Sequence, residues 1–197
     1  MGLNIRNSSR STTSACPFSG PSLGFSSPAL HPASPPSKPK HVEAAAPCFH
    51  SAGMTDTVFV LNGPNLNLLG QREPEIYGHQ TLADIEDMLA RQAEELGLAI
   101  SFHQTNHEGQ LIDWLHDANR QKAKAVLLNA AAYTHTSIAL LDAIKAITVP
   151  VIEVHLSDPE TREEFRHLSY VGMAAADCVK GLGARSYSVA LEKAATL

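Results

Sequence analysis

The sequence predicts a three-layer α/β/α domain on a doubly wound parallel sheet, and three observations carry that expectation. The short runs 58–61 and 125–128 are apolar at consecutive positions, as strands covered on both faces must be. Longer stretches with apolar residues at three- and four-residue spacing alternate with them, which is the period of an amphipathic helix. Polar clusters recur immediately after the strand-like runs, at 62–79, 129–137 and 155–158.

Strand one is expected at 57–61. The loop after it reaches residue 80, far beyond the usual connection of roughly two to six residues. It holds Asn62, Asn65, Asn67, Arg72 and Tyr77 together with Pro64 and Pro74, and long polar loops tend to bind or catalyse. Thr81 suits a helix N-cap, with Asp84 closing a capping box. Leu82, Ile85, Leu89 and Leu96 form the stripe of that helix, and Gly97 ends it. Residues 98–103 form strand two and 104–108 a polar loop. Leu111, Ile112, Leu115 and Ala118 mark the second helix, with Trp114 at its edge. Strand three is 125–128. Ile138, Leu141, Ala143 and Ile144 lie on the third helix, which stops before Pro150. Strand four is 150–155. Residues 157–175 are irregular, with one helical turn near 162–165. A short edge strand at 177–180 and a helix at 185–195 close the chain. Five strands at this rhythm suggest the flavodoxin-like order 2-1-3-4-5. In such sheets ligands bind outside the carboxyl ends of the strands, near the reversal of strand order. All three polar clusters fall there and converge on one site.

Composition shifts near Met54. Residues 1–53 hold eight of the 12 prolines and a single acidic residue, Glu43. Such a segment cannot bury enough apolar surface to offset its ordering entropy, so it is expected to be a disordered extension. Two origins stand open: a misread start ahead of Met54, which is favoured because Met54 sits just before strand one, or an organelle leader, since the segment is Ser-rich, acid-poor and carries Arg6 and Arg10. Residues 54–197 are expected to form the single domain, cytoplasmic unless the leader directs it elsewhere. The chain has 44% hydrophobic and 18% charged residues and a net charge of -5. That is an ordinary globular balance, with no basic footprint for nucleic acid and no apolar run long enough to span a membrane. Cys16, Cys48 and Cys178 are odd in number and far apart, which argues against disulfides and structural zinc and for a reducing compartment.

The usual ligands of this architecture are absent from the sequence. There is no Gly-x-x-x-x-Gly-Lys-Ser/Thr loop and no Gly-x-Gly-x-x-Gly after a strand. Asn62-Gly-Pro-Asn65 stands where a flavin carrier needs a hydroxyl-rich phosphate loop. Glu153 and His155 share a strand face without a third ligand, so no metal is expected. Lys122, Lys124, Lys145, Lys180 and Lys193 all lie outside the convergent loops, against lysine-imine chemistry. Acid–base chemistry remains. A free tyrosine has a pKa of about 10, so reaching the phenolate at pH 7 costs about 4 kcal/mol. A guanidinium nearby lowers an acid's pKa by roughly 1–3 units and cannot itself deprotonate. Tyr77 with Arg72 is therefore a candidate base, set against the commoner fate of a packed tyrosine and a solvated arginine. His135, in Thr134-His-Thr-Ser137 at an expected helix N-terminus, is either a general acid or a packed ring beside a capping threonine. Leu156 and Ser157 offer backbone N–H groups and a hydroxyl to an anion, or make an ordinary cap.

Five motifs follow in order: Leu61-Asn-Gly-Pro-Asn-Leu-Asn-Leu-Leu-Gly70 with Arg72, Pro74, Tyr77 and Gly78; Gln104-x-Asn-His-Glu-Gly109; Asn129 through Tyr133-Thr-His-Thr-Ser137; Glu153-Val-His-Leu-Ser157; and Arg162-Glu-Glu-Phe-Arg166. With them, residues 58–191 resemble type II 3-dehydroquinate dehydratase of the shikimate pathway. The resemblance implies a homododecamer of four trimers and anti elimination of water from 3-dehydroquinate to 3-dehydroshikimate, without metal or cofactor. It implies Tyr77 as base, Arg72 as its activator on a closing loop, His135 as acid, and Asn65 holding a water against an enolate. It implies Asn129, His155, Leu156, Ser157 and Arg166 as substrate-binding residues, with Glu153 orienting His155 and Asp142 reaching a neighbour's site at the trimer contact. Two positions depart from the family pattern. Ala131 stands where many members have Gly, which bears on the turn before His135. Asp158 stands where Asn is common, adding a negative charge near the proposed carboxylate pocket.

Overall fold

The computed structural model describes residues 56–70 and 80–197. The expected extension at 1–53, its boundary at Met54, and the segment carrying Arg72 and Tyr77 lie outside the described residues. Five parallel strands, β1 (Thr57–Asn62), β2 (Ala99–Gln104), β3 (Ala125–Asn129), β4 (Val151–Val154) and β5 (Asp177–Val179), form one sheet in the order β2-β1-β3-β4-β5. Among the described residues, four α-helices connect or follow them: α1 (Leu82–Glu95), α2 (Glu108–Arg120), α3 (Ile138–Ala146) and α4 (Arg185–Ala195). This is the flavodoxin-like architecture expected from the sequence.

Alternation along the central strands explains the three layers, because successive side chains point to opposite faces. Val58, Val60, Ala125, Leu127, Ile152 and Val154 pack with Ile85, Leu89 and Ala93 of α1 and Tyr187, Ala190, Leu191 and Ala194 of α4. Phe59, Leu61, Val126, Leu128 and Val151 pack on the other face with Leu111, Leu115 and Ala118 of α2 and Leu140, Ala143 and Ile144 of α3. Both faces are covered, so β1 and β3 read as uninterrupted apolar runs.

Local signals set several boundaries. The Thr81 hydroxyl accepts from the Asp84 N–H while the Asp84 carboxylate accepts from the Thr81 N–H, the reciprocal capping box. Gly97 follows α1 at φ 68°, in the left-handed region that glycine adopts without steric penalty. Helix α4 coincides with the expected 185–195. Strand β2 lies one residue later than expected, so Gln104 belongs to the sheet. The single turn expected near 162–165 is two short 3₁₀ turns, Pro159–Thr161 and Glu164–Arg166. Ile138 is not a core residue of α3: it sits on the first turn and is 56% exposed. The helix seats itself through Ala143 and Ile144, as expected, and through Leu140, which periodicity alone did not single out.

Candidate active site

The register of the sheet lines up the carboxyl ends of three strands. Asn62 pairs with Gln104 on one side and with Asn129 on the other. Here the strand order reverses, and the chain leaving β1 and the chain leaving β3 diverge to open a cleft. Gly63 N–H donates to the Asn129 carbonyl at 2.8 Å. A Cβ on Gly63 would lie 2.5 Å from the Ala130 carbonyl oxygen, so only glycine permits this approach.

The cleft is lined by Pro64 and Asn65 after β1, Asn129, Ala131 and His135 after β3, and His155, Leu156, Ser157, Arg162 and Arg166 after β4. Seven of the residues expected from the sequence are thereby brought together with Asn65: Asn129, His135, His155, Leu156, Ser157 and Arg166 line it directly, and Glu153 supports it from below. Asp142 is not among them. It lies on the exposed side of α3, outside the cleft of its own chain. Arg162 lines the cleft although only its motif, not its role, was legible in the sequence.

Asn65 adopts φ 67°, and its N–H donates to Asn106 Oδ1 at 2.9 Å. Gln104 Nε2 donates to the Gly63 carbonyl at 3.3 Å. The end of β2 thus clasps the Gly-Pro-Asn turn. His135 is not at a helix N-terminus. It ends the 3₁₀ turn Ala131–His135, and Ser137, rather than either threonine, caps α3 by accepting from the Leu140 N–H at 2.9 Å. His135 Nδ1 donates to the Leu168 carbonyl at 2.8 Å, which leaves Nε2 as the reactive nitrogen. Burial holds its pKa below the ordinary histidine value; the Leu168 bond opposes this, and His155 and Arg166 add to it.

Glu153 is the hub under the cleft. It is buried, and one of its oxygens, Oε1, accepts from Ser169 Oγ at 2.6 Å, Thr134 Oγ1 at 2.8 Å and His155 Nε2 at 2.9 Å. Burial pushes its pKa up, but the donors, His155 foremost, outweigh that and leave it below the ordinary value. The carboxylate therefore stays charged and fixes three loops at once: that of His135 through Thr134, that of His155, and that of Ser169 beside Leu168. Ser169 and Thr134 gave no sequence signal for this, since their partner is 16 and 19 residues away.

Arg166 Nε donates to Glu163 Oε2 at 2.8 Å while its guanidinium lies 5.1 Å from the centre of the Phe165 ring. With Arg162 it brings positive charge to the cleft in a chain of net charge -5. Asp158 does not point its charge into the cleft. Its carboxylate caps the Pro159–Thr161 turn through the Glu160 N–H and pairs with Lys180 Nζ at 3.2 Å. Ala131 adopts φ 51°, the left-handed conformation that costs a non-glycine residue about 1–2 kcal/mol. Desolvation and the neighbouring Glu153 push the Cys178 thiol up to about 11, which disfavours its thiolate. Among the described residues no group of three or more His, Cys, Asp or Glu is placed to hold a metal, and no helix is long and apolar enough to cross a membrane.

The family model for class II dehydroquinase matches residues 56–195. The 3-dehydroquinate dehydratase of Phenylobacterium zucineum is 56% identical over 144 residues, covering 73% of this chain and 99% of that protein. That of Rhizobium meliloti is 58% identical over 138 residues, covering 70% and 93%. Among solved structures, the type II dehydroquinase of Propionibacterium acnes is similar with a TM-score of 0.70 and 42% identity, covering 73% of this chain and 99% of that one. The type II dehydroquinase of Butyrivibrio crossotus is similar with a TM-score of 0.70 and 34% identity, covering 72% and 99%.

Proposed function

The chain belongs to the class II dehydroquinase family, and from that premise we propose that it eliminates water from 3-dehydroquinate to give 3-dehydroshikimate in the shikimate pathway. The observation that supports this best is the convergence of Asn65, Asn129, His135, His155, Ser157 and Arg166, from three strand ends, on one cleft. The site needs an acid, anion-binding donors and a donor for an enolate, and these side chains are of those types.

In this reading the Tyr77 phenolate, lowered in pKa by the Arg72 field, removes the proton next to the ketone. The electron pair passes into an enolate, stabilised by a water on Asn65. Collapse of the enolate expels the β-hydroxyl, which takes a proton from His135 Nε2 and leaves as water. The depressed pKa of His135 makes its protonated form the stronger acid. Arg166, with the Leu156–Ser157 backbone and the Ser157 hydroxyl, binds the substrate carboxylate, and Asn129 and His155 bind its hydroxyls. Asp142 serves a neighbour's site within a homododecamer of four trimers, and the protein works in the cytoplasm with no metal or cofactor.

The product is a conjugated enone, so purified protein mixed with 3-dehydroquinate at neutral pH is expected to generate new ultraviolet absorbance. A folded protein that gives none overturns the assignment. Tyr77→Phe should abolish turnover and keep the fold. Arg72→Lys should lower activity severely, because an ammonium is more hydrated and cannot present the planar fork. The competing reading of a flavin carrier predicts a yellow protein. A lysine-imine mechanism predicts inactivation by borohydride in the presence of substrate.

A further inference from the structure

Beneath the cleft runs a buried polar chain that no element supplies alone. Asn129 Oδ1 accepts from the Ala131 N–H at 3.2 Å, and Asn129 Nδ2 donates to the Tyr187 hydroxyl at 2.9 Å. The Tyr187 hydroxyl donates to Asn62 Oδ1 at 2.6 Å, and Asn62 Nδ2 donates to the His103 carbonyl at 2.9 Å. Tyr187 and Asn62 are 0% exposed and Asn129 is 3% exposed. The chain joins the ends of β1, β2 and β3 to α4.

The two ends of this chain are backbone groups of fixed polarity. The Ala131 N–H can only donate and the His103 carbonyl can only accept. Asn129 must therefore turn its oxygen to Ala131 and its nitrogen to Tyr187. Asn62 must turn its nitrogen to His103 and its oxygen to Tyr187. Only a group that accepts on one side and donates on the other fits between them. A protonated phenol does both, and burial pushes the Tyr187 pKa up, so it remains protonated. With its oxygen on Ala131 and one hydrogen on Tyr187, the Asn129 amide keeps a second hydrogen for the cleft it lines. The reverse orientation would show the cleft a lone pair.

We propose that Tyr187 and Asn62 are positioning residues that orient the Asn129 amide, so that it presents an N–H donor to a hydroxyl or carbonyl oxygen of the substrate. This role rests on the dehydratase reading of the cleft. Neither residue touches substrate; both act through Asn129.

The test is a double-mutant cycle read as kcat and KM separately. Tyr187→Phe keeps the ring and removes the hydroxyl. Losing one oriented hydrogen bond of about 1–3 kcal/mol corresponds to a rise in KM of roughly 5- to 150-fold. In an Asn129→Ala background the same substitution should change KM less than about twofold, because its route to substrate is gone. Asn62→Ala keeps the hydroxyl but frees it to donate to Asn129, and should raise KM similarly. A tyrosine that merely holds α4 in place would lower thermal stability and kcat with KM unchanged, and its effect would multiply with that of Asn129→Ala. Either result overturns the proposal. A crystal structure of Tyr187→Phe reads the orientation without turnover: Asn129 should leave its contact with the Ala131 N–H or become disordered, and an unmoved side chain counts against the role. Native protein without turnover would defeat the dehydratase assignment alone, leaving that structural measurement to decide the positioning role.

Discussion

At the scale of the residue, Glu153 shows how a buried carboxylate is kept charged by the groups around it. Three donors converge on a single oxygen, and hydrogen bonds to a charged acceptor are each worth about 1.5–3 kcal/mol. Its folded pKa lies below the ordinary 4.5. Its contribution to stability is then full above pH 4.5 and is lost as the pH falls through the folded value. Glu153→Gln cannot accept all three bonds equally and brings donors among donors. We expect it to destabilise the fold by about 2 kcal/mol at pH 7, with the gap to the native protein narrowing as the pH drops below 4.5. Urea midpoints measured from pH 7 to pH 4 check this, and a gap independent of pH would contradict it. The Asp158–Lys180 pair makes a related point: a carboxylate next to the cleft is engaged by its own ion pair and turn.

At the scale of the element, the site depends on how closely the ends of β1 and β3 approach. Gly63 sits against the Ala130 backbone, where no side chain can move aside. Gly63→Ala must push the two loops apart, and overpacking of this kind costs typically 1–3 kcal/mol. Asn65 and Asn129 stand on opposite sides of that contact. The substitution should therefore lower the urea midpoint and reduce kcat/KM together. A variant with native midpoint and activity would show that the loops can separate freely.

At the scale of the whole molecule, the single chain leaves Asp142 outside its cleft and exposes Ile138, Phe165, Leu168 and Met173 at 45–66%. Phe165 and Leu168 flank Arg166 in sequence, next to the site. A proposed assembly of four trimers would cover apolar surface of this sort and bring Asp142 to a neighbour. Sedimentation equilibrium should give a mass twelve times that of one chain. A fully active monomer would remove the assembly, and the role of Asp142 with it.

Much of this protein was determined by its sequence alone. The alternation of apolar runs and amphipathic stretches predicts the elements and their layers, because each is a local period that burial must satisfy, and its rhythm suggests the strand order. Thr81, Asp84 and Gly97 mark helix ends through bonds made within a few residues. The five motifs carry the family, and with it the cleft residues at 65, 129, 135, 155–157 and 166. Tertiary structure decided the rest. Tyr187 reaches Asn62 across 125 positions and Asn129 across 58, and its helix reads in sequence as an ordinary apolar stripe. Ser169, Thr134 and Lys180 likewise find partners that no local period specifies. Local sequence sets backbone conformation; which buried donor meets which buried acceptor is fixed only when the strands come into register.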